Sequence, residues 1–281
     1  MTIEEFIEKL ERVLPFDAGL ENDKLGLQIK TYNGEISKVL VCYELTHGAI
    51  EEAKRYKANL IISFHPLIYY PLQNILNTDR VGTLVQELIR NSISLVVCHT
   101  NFDAYRNGTS WIFAKMIGLD VKGFLSENAN FQNFGFGVFG EYTPEISVLE
   151  FLGRISDVTF SPLRWCKGKR DFISKVAVVA GSGFSFAEIA FEKNIDAFVT
   201  ADISYHNFHK YNGKMMLVDP GHWEMEYFVA YALKELLEET FNGDLKFFVS
   251  NVYTNPVKYF ADKNYNDYQE KELLNKIGSR I

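Results

Sequence analysis

The segment Asp219-Pro220-Gly221-His222-Trp223-Glu224-Met225-Glu226 sets His222 and Glu226 four residues apart at the start of an apolar-striped stretch. Residues i and i+4 share one helix face, so an imidazole and a carboxylate there can converge on one cation. Two other segments offer ligands of the same kind: Phe64-His65-Pro66-Leu67 and His99-Thr100-Asn101-Phe102-Asp103. Taken together, His65, Asp103, His222 and Glu226 make an imidazole and carboxylate set without thiolate, which suits zinc, iron or manganese. A bridging carboxylate in such a set could hold two ions ~3.5–4 Å apart and activate water between them. Each segment also has a plainer reading. His65 could be a surface histidine beside a turn. Asp103 could cap a helix while His99 bonds a backbone carbonyl. His222 and Glu226 could be a surface pair worth ~0.2–0.5 kcal/mol.

Two weaker signals accompany these. Gly181-Ser182-Gly183 lies between a strand-like and a helical run. Such a turn can cradle an anion at a helix N-terminus. It lacks the third glycine of a dinucleotide fingerprint and the lysine of a phosphate loop, so the tight-turn reading is favoured. Asp202-Ile203-Ser204-Tyr205-His206 offers a polar rim, or else a solvated helix start. His99 and His206 are the candidates for proton transfer.

Positioning such residues requires strands that end at them. Val39-Leu40-Val41-Cys42-Tyr43, Asn59 to Phe64 and Ile93 to Cys98 read as buried strands, the last two ending at His65 and His99. Between them, stretches from Thr46 to Tyr56 and Val81 to Arg90 read as helices, the alternation of parallel βαβ units. Loops at strand carboxyl ends are the usual ligand sites of such sheets. Thr2 and Glu5 form a capping box for a helix over 2–13. The pattern breaks from Gly118 to Gln132, which suggests a domain boundary. Beyond it, strands are expected at 134–142, 157–165, 175–180, 197–200, 215–218 and 245–249, and helices at 144–155, 185–193 and 223–240. The charged tail, 261–281, reads as a helix or a partly ordered segment.

With 281 residues the chain can bury a large core and form two domains. Its net charge of −7 argues against general binding to nucleic acid or a membrane surface. Arg164, Lys167, Lys169 and Arg170 cluster around Trp165, as a solvated loop also would. No apolar run reaches the ~20 residues of a membrane span, and no secretion signal precedes the first helix. Cys42, Cys98 and Cys166 are odd in number and two lie in apolar runs, as in a cytoplasmic protein with reduced thiols.

In register, these segments resemble the NGG-interacting-factor-like family, whose members are also called GTP cyclohydrolase 1 type 2 homologs and dinuclear metal centre proteins. Glu21-Asn22-Asp23 with Gly26-Leu27-Gln28 resembles its early D-N-x-G-L segment. Glu44-Leu45-Thr46 resembles its D-x-T segment, Phe64-His65-Pro66-Leu67 its H-H-P-L, and His99 to Ala104 its H-T-N-x-D-A. Gly181-Ser182-Gly183, Thr200-Ala201-Asp202, Tyr205-His206 and Gly221-His222 through Glu226 follow in the family's order. The resemblance implies an α/β fold of two α/β domains, 1–125 plus 215–281 holding the metal and 126–214 forming the second. It implies a toroidal homohexamer with one or two divalent ions per chain, on His65, Asp103, His222 and Glu226, with His99 close by. The implied activity is that of a metal-dependent hydrolase acting on a nucleotide or related phosphorylated small molecule, and the family name implies hydrolytic opening of the GTP purine ring. Two positions depart from the pattern: Phe64 replaces the first histidine of the pair, and Glu44 replaces an aspartate. The alternative is a non-catalytic assembly or regulatory protein with a degenerate site.

Overall fold

A computed structural model describes residues 1–31 and 34–259. The stretch 261–281, expected as a helix or partly ordered tail, lies outside the described residues. The chain divides into two compact units, Met1–Phe102 with Phe228 onward, and Asp103–Tyr227. The expected boundaries fell later on the N-terminal side and earlier on the C-terminal side.

In chain order the first unit opens with α1 (Ile3–Val13), β1 (Gly26–Ile29), β2 (Lys38–Cys42), α2 (His47–Tyr56), β3 (Leu60–Ser63), α3 (Arg80–Arg90) and β4 (Ser94–Val97). Next come α4 (Thr100–Ala104), α5 (Thr109–Met116), β5 (Asp120–Glu127), β6 (Gly135–Ser147), α6 (Val148–Thr159) and β7 (Arg164–Cys166). They are followed by β8 (Phe172–Val178), α7 (Ala187–Glu192), β9 (Ala197–Val199), α8 (Tyr205–Tyr211), β10 (Met216–Asp219) and α9 (His222–Glu226). The chain returns to the first unit with α10 (Val229–Phe241) and β11 (Lys246–Val249).

The first unit is built on a five-stranded sheet ordered β1-β4-β3-β2-β11. Its four strands β4, β3, β2 and β11 run parallel, and β1 closes one edge antiparallel. All four residues of β3 and of β4 are buried, as expected of parallel strands covered on both faces. The helices start where short polar side chains meet their first turn. Thr2 and Glu5 complete the capping box of α1, Thr46 accepts from the Ala49 amide in α2, and Asp79 from the Gly82 amide in α3. One core cluster joins Leu40, Ile61 and Leu95 of the sheet to Ala49, Ile50, Ala53, Leu84 and Leu88 of α2 and α3.

The second unit carries a six-stranded sheet ordered β5-β6-β8-β9-β10-β7, of which β8, β9 and β10 run parallel. Its core joins Ala177, Phe198 and Leu217 from that parallel trio to Ala187, Ala190 and Tyr211 of α7 and α8.

Several expected boundaries differ from those observed. The stretch read as a break contains β5, which pairs with β6 in register from Asp120↔Glu141 to Glu127↔Gly135. Most of β5 is half-buried or exposed, so its sequence lacks the apolar run of an interior strand. Helix α6 begins at Val148, capped by Ser147, because β6 continues to that serine across an irregularity in its pairing with β8. Residues 157–159 therefore close α6, and only Arg164–Cys166 form a strand. The helix expected over 223–240 is two, α9 and α10. Between them the Tyr231 amide bonds Phe228 O at 3.0 Å, a three-residue closure, where the chain passes from one unit to the other.

Candidate metal centre

In the first unit, β3 and β4 lie side by side and end level, Ser63 opposite Val97. The next residues are therefore neighbours: the His65 and His99 ring centroids are 5.2 Å apart, their planes at 76°. Backbone bonds continue past the strand ends and fix the loop, His65 N to Tyr43 O at 3.0 Å and Cys98 N to Ser63 O at 3.1 Å. The Ser63 hydroxyl donates to His65 O at 2.6 Å.

A carboxylate orients each of these rings. His65 Nδ1 lies 2.9 Å from Glu44 Oε2, and His99 Nδ1 lies 2.9 Å from Asp23 Oδ2. An ionised carboxylate only accepts, so Nδ1 carries the proton and Nε2 presents the lone pair. Glu44 is itself held by Arg80, whose Nη2 bonds Glu44 Oε1 at 2.6 Å and Leu45 O at 2.7 Å. Burial tends to raise the Glu44 carboxyl, but His65 and Arg80 outweigh it and hold it below the ordinary carboxylate range. The same contest is won more strongly at Asp23, which also accepts from the Thr100 hydroxyl at 2.5 Å and from the Lys24 amide at 2.7 Å. Phe64 is fully buried, its ring edge-on to His99 at 5.2 Å and stacked against Tyr43 at 5.9 Å.

The second unit repeats the device at the carboxyl ends of its own parallel trio. After β10, Pro220 and Gly221 turn the chain into α9, with Gly221 at φ 102°. His222 Nε2 lies 3.2 Å from Glu226 Oε2, and its Nδ1 lies 2.6 Å from Asp202 Oδ2. Glu226 is 3 % exposed, so this carboxylate is largely removed from water. Burial opposes the charged imidazole, yet the two carboxylates prevail and raise the His222 pKa to about 11. Asp202 is lowered correspondingly, first by its bond to His222. Glu226 and Asp202 thus flank the His222 ring with two carboxylates, a setting that favours positive charge and suits a cation.

Gly181 explains the glycine pair that follows β8. Its φ of +65° is one that glycine adopts without strain. A Cβ there would lie 2.3 Å from Glu226 Oε1 and 3.3 Å from His222 Nε2. The turn gives room to the His/Glu pair and is tied to β9 by Thr200, whose hydroxyl donates to Gly181 O at 2.9 Å and accepts from Gly183 N at 2.8 Å. Asp202 likewise sits at positive φ, 57°, which aims its carboxylate from the end of β9.

Of the expected site residues, His65 and His99 meet in the first unit, and His222 and Glu226 meet in the second. Asp103 is half-buried in α4. His206 is exposed on α8, its ring 5.6 Å from Tyr205. The orienting carboxylates Asp23, Glu44 and Asp202 did not emerge as site residues from types and spacing. They lie 76, 21 and 20 residues from the histidines they hold. Their signal was positional: Glu44 and Asp202 follow buried strands as the histidines do.

Residues 1–256 match the family model described as Duf34/NIF3 (NGG1p interacting factor 3). The chain is 29 % identical over 261 residues to a Clostridium perfringens protein named GTP cyclohydrolase 1 type 2 homolog, covering 92 % of this chain and 100 % of that one. It is 30 % identical over 260 residues to a Lactococcus lactis protein of the same name, covering 91 % and 98 %. The fold is similar to that of the Staphylococcus aureus hypothetical protein SA1388, with a TM-score of 0.83 at 24 % identity over 92 % of this chain and 99 % of that one. With the family model spanning nearly all of its length, the chain belongs to the Duf34/NIF3 (NGG1p interacting factor 3) family.

Proposed function

We propose that the protein is a metal-dependent hydrolase in which His65, Asp103, His222 and Glu226 hold one or two divalent ions, zinc, iron or manganese. The observation that carries this reading is the His222 clamp. A buried carboxylate at 3.2 Å and a second at 2.6 Å make a setting in which positive charge is strongly favoured. The paired imidazoles add to it. Histidine ligands of metals characteristically give their other ring nitrogen to a carboxylate, which fixes tautomer and orientation. His65, His99 and His222 all do so here. The donors are nitrogen and oxygen, which these metals accept.

A divalent ion in such a site supplies a Lewis acid and lowers the pKa of water it binds. The chain's own groups do the rest. Glu44, Asp23 and Asp202 fix the rings. His99, and the exposed His206 on α8, are the proton carriers. The substrate class is a nucleotide or related phosphorylated small molecule, carried over from the names of the relatives. The test is hydrolysis of a nucleotide panel by protein loaded with each metal and by chelator-stripped protein. Turnover that appears with metal and falls at least ~100-fold in Glu226→Gln supports the reading; equal turnover with and without metal contradicts it.

A second reading, a metal-binding assembly or regulatory protein with a degenerate site, is favoured by Phe64. This ring is fully buried where the family pattern has an imidazole. Metal content and hydrolysis of Phe64→His separate the two. A gain in both indicates an enzyme site that has lost a ligand, and unchanged values favour the non-catalytic protein. We further propose a homohexamer in the cytoplasm. The loop after His65 supports assembly, since Tyr69, Tyr70, Ile75 and Leu76 are each roughly half exposed or more.

A further inference from the structure

The second unit holds a cleft that shares no residue with the His/Glu pair. It has a volume of about 330 Å³, within the range of small-ligand sites. Trp111, Phe124, Phe131 and Phe134 give it aromatic walls, with Arg106 and Glu127 among its polar groups. The rings are set edge to face: Trp111 and Phe124 are 5.5 Å apart at 65°, Phe131 and Phe134 6.1 Å apart at 66°. The walls are pinned by bonds to main-chain amides. Arg106 N donates to Asn133 O at 3.0 Å, and Asn128 Oδ1 accepts from the amides of Asn130 and Phe131 at 2.9 and 3.2 Å.

Two features go beyond what packing needs. Trp111 is 8 % exposed, and its indole N–H is a buried donor that meets no acceptor among the described residues. A buried donor left in that state carries an uncompensated desolvation cost, and an indole nitrogen can only donate. The Arg106 guanidinium lies over the Trp111 ring at 5.3 Å and forms no ion pair among the described residues. Its side-chain bond to Asn133 Oδ1 is long, 3.5 Å. The other cation of the wall, Lys122, is already neutralised by Asp120 at 2.5 Å. The cleft therefore offers aromatic surface and a cation together, with the indole N–H closed off beneath its wall.

We propose that this cleft binds a planar aromatic anion, its ring against the aromatic walls and its acidic group on Arg106. Glu127 adds an acceptor for a ring N–H or amino group. A mononucleotide and an aromatic carboxylate share this chemistry, and AMP and benzoate are the probes that separate them.

Calorimetric titration of the full chain with AMP, benzoate and inorganic phosphate tests the proposal. At least one ring-bearing probe should saturate in the submillimolar range, while phosphate alone binds at least tenfold more weakly. Saturation by AMP alone identifies a nucleotide site, and by benzoate alone a carboxylate site. Arg106→Gln changes an exposed residue and should weaken binding at least fivefold, whereas Trp165→Phe should leave it unchanged. Absence of saturation with both ring probes, phosphate binding as tight as theirs, or an affinity indifferent to Arg106→Gln would overturn it.

Discussion

Asp202 carries the clearest consequence at the scale of single residues. Asp202→Asn keeps the shape of the side chain but removes the charge that fixes His222 Nδ1 at 2.6 Å. Loss of such an outer partner should lower metal affinity ~10–100-fold, read by titration against a competing chelator, with the fold intact by circular dichroism. An unchanged affinity would mean that His222 is not a ligand. Gly181→Ala should do more. It places a methyl group 2.3 Å from Glu226 Oε1 and puts alanine at φ +65°. A loss of at least ~1 kcal/mol of stability is expected from the backbone alone, with metal content falling as Glu226 is displaced. The histidines and Glu226 were visible in the sequence because imidazole is scarce there and these residues follow apolar runs. Asp23, Glu44 and Asp202 stood out only within wider segments, with no sign of the histidine each one holds, since a carboxylate is common and their partners are distant along the chain. Glycine at 181 was read as a tight turn; the neighbour that demands it lies 45 residues on, and spacing holds no trace of it.

Elements place these residues by a shared rule: adjacent parallel strands end level, and polar side chains follow the last buried residue. That rule is readable from β2, β3, β4, β8, β9 and β10, whose cores are continuous apolar runs. It fails for β5, which is only half covered and interrupted by Gly123, and for the 223–240 helix, where a three-residue closure at Phe228 leaves no mark in composition. Thr200 is the joint that locks the β8 turn to β9. It is fully buried and satisfies both Gly181 O and Gly183 N. Thr200→Val keeps the volume and removes one bond from each group, leaving Gly181 O to the Ala201 amide at 2.8 Å and Gly183 N to Gly181 O at 3.0 Å; with two bonds lost, ~1–3 kcal/mol is expected in chemical denaturation. A loss below ~0.5 kcal/mol would show that water replaces the hydroxyl and that the joint is not rigid.

Across the whole molecule, charge and surface narrow the partners. The basic cluster around Trp165 is largely spent on acids: Arg164 on Asp219 at 2.9 Å, Lys167 on Asp171 at 3.1 Å, and Arg170 on Glu145 and Asp196. With a net charge of −7 this leaves little to attract phosphate backbones. No helix among the described residues is long and apolar enough to cross a membrane. The proposed hexamer predicts a mass near six times the 32.3 kDa chain in light scattering, and a monomer would contradict it. The metal is read by elemental analysis of protein reconstituted with zinc, iron or manganese and then desalted. At least one tightly held ion per chain is expected in the native protein, and almost none in His222→Ala or Glu226→Gln that remain folded. Native protein that retains no ion from any of the three, or variants that retain as much as the native chain, would contradict the account.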